Sequence, residues 1–156
     1  MARSLLEHGA DATAQDNNGR TPFHLSSENK HEDMALLLLE HSADATTHDK
    51  NRRTPLHRTL EDGHEHICRL ILEHSADATA QDRLGWTLLH LASENGREGI
   101  GRLLLEHEAD ATAQDKLDND RRTPLHWASQ NGHDDIARLL QVLEHGADAT
   151  AQESNG

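Results

Sequence analysis

The chain has 156 residues, of which 34% are hydrophobic, little for one compact core. Twenty-eight acidic against fifteen basic residues give a net charge of −13, which works against nucleic-acid or anionic-membrane binding. Its single cysteine, Cys68, excludes an internal disulfide and suits a reducing compartment, cytoplasmic or nuclear.

Residues 1–15 read as the second helix of an incomplete unit and its exit, EHGADATAQ from Glu7. Met1 is followed at once by ARSLLEH, which belongs to this pattern rather than to a leader. Four fuller units follow, at 16–48, 49–81, 82–114 and 115–152, and 153–156 form a tail. Each opens on a polar tip, then a Thr-Pro helix start: TPFH from Thr21, TPLH from Thr54, TLLH from Thr87 and TPLH from Thr123. Thr suits the N-cap and Pro the first helical position. A second apolar helix follows, with Met34, Leu37 and Leu38 in one copy and Ile67, Leu70 and Ile71 in the next, at helical spacing. The phrase EHxADAT closes each unit, from Glu40, Glu73, Glu106 and Glu144. The tetrapeptide spacings are 33, 33 and 36 residues. A fixed period of this size predicts one supersecondary unit copied in tandem and stacked into a solenoid, because no copy buries its own apolar face.

These residues resemble the ankyrin repeat over nearly the whole chain, through T-P-L-H, the Gly-His turn and the G-A-D exit. The resemblance implies an all-α solenoid of stacked antiparallel helix pairs with β-hairpin-like fingers. It also implies that His24, His57, His90 and His126 are structural and bond to finger backbone. Several departures stand out. Ser42, Ser75 and Glu108 replace the Gly after a second helix, and Lys30 falls where a first helix expects Gly. Gly99 and Gly101 lie inside a helix, and Arg58-Thr59-Leu60 replaces a small-residue stretch. Two extra residues in LLQVLEH predict a bulge or a change of face near Gln141-Val142. Neither end offers a polar cap, so the chain resembles a slice of a longer array, monomeric or weakly self-associating through those ends.

Twelve of the fourteen histidines fall into columns one repeat apart. Packed helices lie about 8–10 Å apart, whereas Zn–N bonds are about 2.0–2.1 Å, so a column cannot share one ion. No metal, cofactor or catalytic residue is expected; His64-Glu65-His66 points its two rings apart, and Cys68 reads as an inert core thiol. Ordinary histidines titrate near pH 6.5, so mild acidification should bring −13 close to neutral, near the sequence pI of 5.4.

The expected function is non-enzymatic: a scaffold holding a segment of another protein in its concave groove. The column just before each tetrapeptide, Arg20, Arg53, Trp86 and Arg122, faces that groove in the family. It is joined there by Leu84 at a finger tip and by Glu28, Glu61, Glu94 and Gln130 after the small pair. Three arginines favour an acidic partner segment, with Trp86 as the aromatic anchor. The opposing reading is that the Arg and Glu columns simply pair with each other. Eight basic against six acidic residues in the fingers leave nucleic-acid binding as a third, disfavoured reading. A further alternative is an accessory array of a larger enzyme or effector whose activity lies outside this chain.

Overall fold

The computed structural model describes residues 2–41, 43–74, 77–117 and 120–153. The described residues form α1 (Ala2–Glu7), α2 (Pro22–Glu28), α3 (Glu32–Glu40), α4 (Pro55–Asp62), α5 (Glu65–His74), α6 (Leu88–Glu94), α7 (Glu98–Glu106), α8 (Pro124–Gln130) and α9 (Asp134–Glu153). Among them there is no strand; a single bridge joins Gln81 to Thr87 at the base of a finger.

Each repeated Thr starts a helix. Thr21, Thr54, Thr87 and Thr123 hold extended backbone, and the His three residues on closes a capping box. Gly63, Gly96 and Gly132 are left-handed where the first helix of a pair turns into the second. Lys30 takes the same turn at φ 60°, and Glu108 takes the exit turn at φ 65°. Each costs on the order of 1 kcal/mol against Gly, as the two substitutions suggested. Ser42 and Ser75 lie outside the described residues.

The helices build two layers. The first stacks α2 on α4, α4 on α6 and α6 on α8; the second stacks α3 on α5, α5 on α7 and α7 on α9. The core runs between the layers as a strip. Phe23, Leu56, Leu60, Leu88 and Leu89 come from one side, and Leu38, Ile67, Ile71, Ile100, Leu104, Ile136 and Leu140 from the other. A strip of this kind needs few apolar residues per repeat, which explains how a chain this polar folds. Cys68 is buried in it, and its thiol donates to Thr59 Oγ1 at 3.0 Å. Burial pushes that thiol up to about 12, so it is inert.

The last helix departs from the pattern. It runs unbroken for 20 residues, where α3, α5 and α7 stop after nine or ten. In α3 and α7 the exit closes when Ala43 and Ala109 donate back to the carbonyls of Leu38 and Leu104, at 2.9 and 3.0 Å. Two inserted residues turn everything beyond them by about 200°, so the exit phrase meets the helix in another register and continues it. The change of face is visible in the side chains: Val142 is 70% and Leu143 40% exposed, whereas Leu72 is buried.

Gly99 and Gly101 sit in one helix with different surroundings. A methyl group at Gly99 would meet no atom within 4 Å, whereas at Gly101 it would come within 2.7 Å of Ile136 Cδ1 in the core. Gly99→Ala is therefore expected to stabilise the fold by about 1 kcal/mol in urea unfolding. Gly101→Ala should gain nothing, because the same propensity is offset by the clash. Equal gains at both sites would contradict this packing.

Candidate functional site

The face that carries the columns is built from finger and helix together. Each finger is closed by one Asp. Asp16 Oδ1 accepts from the N–H groups of Asn18 and Arg20, Asp49 from Asn51 and Arg53, and Asp82 from Leu84 and Trp86, at 2.7–3.0 Å. Asp115 holds Arg122 N–H at 3.1 Å across the longer finger. Successive fingers are then tied together. The N–H groups of Lys50, Arg83 and Lys116 donate to the carbonyls of Asn18, Asn51 and Leu84, at 2.8–3.0 Å. This Asp column was missed as a functional set, although its regular placement at 16, 49, 82 and 115 was the available signal.

The tetrapeptide histidines fix the column from behind. His Nδ1 accepts from the Thr backbone N–H at 3.2 Å, which leaves the proton on Nε2. His24 Nε2 thus donates to the carbonyl of Arg53 at 3.0 Å, and His90 Nε2 to that of Arg122 at 2.9 Å. His57 aims in the same way at the Trp86 carbonyl but falls short of hydrogen-bond geometry, leaving Nε2 without a partner. His126 keeps its Thr123 contact at 2.8 Å, and its flank is exposed. The Gly-His turn works similarly: His64 and His133 bond the carbonyls of Ser27 and Glu94, each at 2.9 Å.

On the surface, the residue before the tetrapeptide meets the residue eight places on. Arg20 reaches Glu28 at 3.4 Å, Arg53 reaches Glu61 at 2.6 Å, and Arg122 reaches Gln130 at 2.7 Å. Arg20 also holds Asp16 at 2.9 Å, Arg53 holds Asp82 at 3.5 Å, and Arg122 holds Asp120 at 3.1 Å. Arg58 enters this network as well, binding buried Asp49 at 2.8 Å and Glu61 at 3.3 Å. Burial opposes the Asp49 charge, but the Arg53 N–H, the Arg58 guanidinium and the Asn51 N–H outweigh it, so its pKa lies below the ordinary value. Each arginine of the column thus bonds carboxylates or amides of its own chain.

Trp86 breaks the column and is not the accessible anchor that its place implied. It is only 8% exposed and belongs to the core. Its ring lies 4.7 Å from that of Trp127 and 6.1 Å from that of His90. Trp127 in turn donates from Nε1 to buried Asp115 at 2.9 Å, and the Arg122 guanidinium stands 5.2 Å from its ring. Leu84, on the same finger as Trp86, is 46% exposed. Among the described residues none forms an ion pair with Glu94, the place paired with Trp86. Burial first, and then the charge of Glu61, raise its pKa.

Among the described residues no group of three or more His, Cys, Asp or Glu side chains is arranged to hold a metal ion. No described helix is long and apolar enough to cross a membrane. What this face offers is a row of polar side chains repeated along the stack, with the half-buried Trp127 near one end.

Comparison with known proteins agrees with this architecture. A family model described as ankyrin repeats matches three times, over residues 1–82, 41–115 and 76–153. Short stretches are also similar to rice potassium channels. One is 58% identical over 36 residues to potassium channel AKT3 of Oryza sativa subsp. japonica, covering 23% of this chain and 4% of the channel. Another is 54% identical over 37 residues to potassium channel AKT1 of Oryza sativa subsp. indica, covering 24% and 4%. The chain thus matches only a small part of the length of these relatives.

Proposed function

Because the chain belongs to the ankyrin-repeat family, we propose that it is a non-enzymatic scaffold that holds a segment of another protein along its finger–helix groove. Ankyrin repeats are protein-interaction modules, and the finer assignment here concerns the face. The observation that carries it is the register of Arg20–Glu28, Arg53–Glu61 and Arg122–Gln130, one pair per repeat on one surface. Such a surface is prepaid in order: finger ladder, Asp closures and histidine bonds hold it before any partner arrives, which lowers the entropy cost of binding. Leu84 adds an exposed apolar contact beside it. The chain works inside the cell, as a monomer or with weak self-association.

Peptides selected from a displayed random library against the folded chain test this reading. Leu84→Asp, on an exposed finger side chain, is expected to weaken their binding at least tenfold, about 1.4 kcal/mol. Arg102→Glu, on the exposed side of α7, should leave it unchanged. The reverse ranking would move the interface to the second helix layer.

A second reading is that the repeats are an accessory array within a larger effector or enzyme. It is favoured by the potassium channels, where the matching stretch is 4% of the protein. The full-length transcript decides between the two.

A further inference from the structure

We propose that the groove at Trp86 and Glu94 receives a lysine or arginine side chain of the partner segment. This rests on the groove reading and adds the chemistry of one contact. The starting observation is a missing counter-ion in a repeated pattern. In neighbouring repeats, the carboxylate eight places after the column residue is held by a guanidinium, at 3.4 Å for Glu28 and 2.6 Å for Glu61. In the third repeat the carboxylate is kept and the cation is replaced by an indole.

No arginine of the groove is spare to neutralise Glu94. Arg53 is divided between Glu61 and Asp82, Arg58 between Asp49 and Glu61, and Arg122 between Gln130 and Asp120. Among the described residues none forms an ion pair with Glu94. Partial burial and the facing charge of Glu61 both act against its ionised form, so a cation bound there would relieve two unfavourable terms at once. At the third and fourth repeats lies the Trp86–Trp127 pair, of which Trp86 is buried. Its half-buried member, Trp127, already accepts a guanidinium within cation–π range, that of Arg122. The net charge of −13 further favours a basic segment over an acidic one. An acidic side chain would instead meet Glu61 and Glu94 together.

Parallel selections of displayed random peptides against the wild-type chain and Glu94→Gln test the proposal. Gln keeps the size of the side chain at the end of α6. Wild-type selections should be enriched in Lys and Arg, and the Glu94→Gln selections should lose that enrichment. For the tightest wild-type peptide, changing its basic residue to norleucine should cost at least tenfold in affinity on the wild type and less than twofold on Glu94→Gln. Fluorescence follows the same binding, since the chain has two Trp and no Tyr. An equal loss on both proteins, or enrichment in acidic residues, would overturn the proposal. The groove reading fails separately, if Leu84→Asp and Glu94→Gln both leave the affinities of the selected peptides untouched.

Discussion

Trp86→Ala is expected to cost about 3–5 kcal/mol of folding stability, enough to approach unfolding in a chain of this size. The ring is buried and packed at a tilt against Trp127 and His90, so its removal opens a cavity between the third and fourth repeats. It also loosens the finger whose Asp82 side chain accepts the Trp86 N–H at 3.0 Å. Trp86→Phe gives the useful contrast. It keeps most of the ring and deletes a buried indole N–H that has no partner, so its cost should stay below about 1.5 kcal/mol. Urea unfolding measures both. A cost under 1 kcal/mol for the Ala variant, on the same scale, would show that the ring is not part of the core. Any loss of affinity in that variant has to be read after its stability.

Acid should weaken the array well before the carboxylates titrate. Burial lowers the His57 pKa from its ordinary 6.5 to about 4, against the opposing pull of Asp82. His24 and His90 move the same way, again through burial first. Protonating Nδ1 would also set it against the Thr N–H that it now accepts. Between pH 6.5 and 4 the unfolded chain therefore binds the proton that folded His57 refuses. Stability is complete above pH 6.5 and is lost as pH falls towards 4, by roughly 3 kcal/mol for His57 alone. Urea midpoints at pH 7.5, 6.0 and 5.0 should fall in that order. A flat series would mean that His57 is charged in the fold. The simple expectation that all fourteen histidines titrate together and discharge the protein is corrected accordingly, because three of them are held back by burial.

The parts of the molecule legible in the sequence are those that repeat. Thr21, Thr54, Thr87 and Thr123 each start a helix because cap chemistry is local. Lys30 and Glu108 are left-handed because the turn is imposed by the copies around them. What escaped were contacts made by single departures. Trp86 occupies a column that is arginine elsewhere, and only the arrival of Trp127 from the next repeat buries it. Arg58 looked like a flaw in a small-residue stretch, yet it reaches back nine residues to neutralise Asp49. Its length and charge were visible, but the burial of its acceptor was not. The continuation of α9 also depends on how an insertion meets the existing helix register, which periodicity cannot supply.

The most direct measurement is the chemical-shift footprint of a library-selected peptide on the isotope-labelled whole chain. Groove binding predicts that the perturbed signals cluster at Leu84, the Trp127 indole, Glu61, Glu94 and Gln130. Signals of Arg69 and Arg102, on the exposed sides of α5 and α7, should stay in place. A footprint confined to α5 and α7, with the finger and first-helix signals unmoved, would contradict a groove-bound segment.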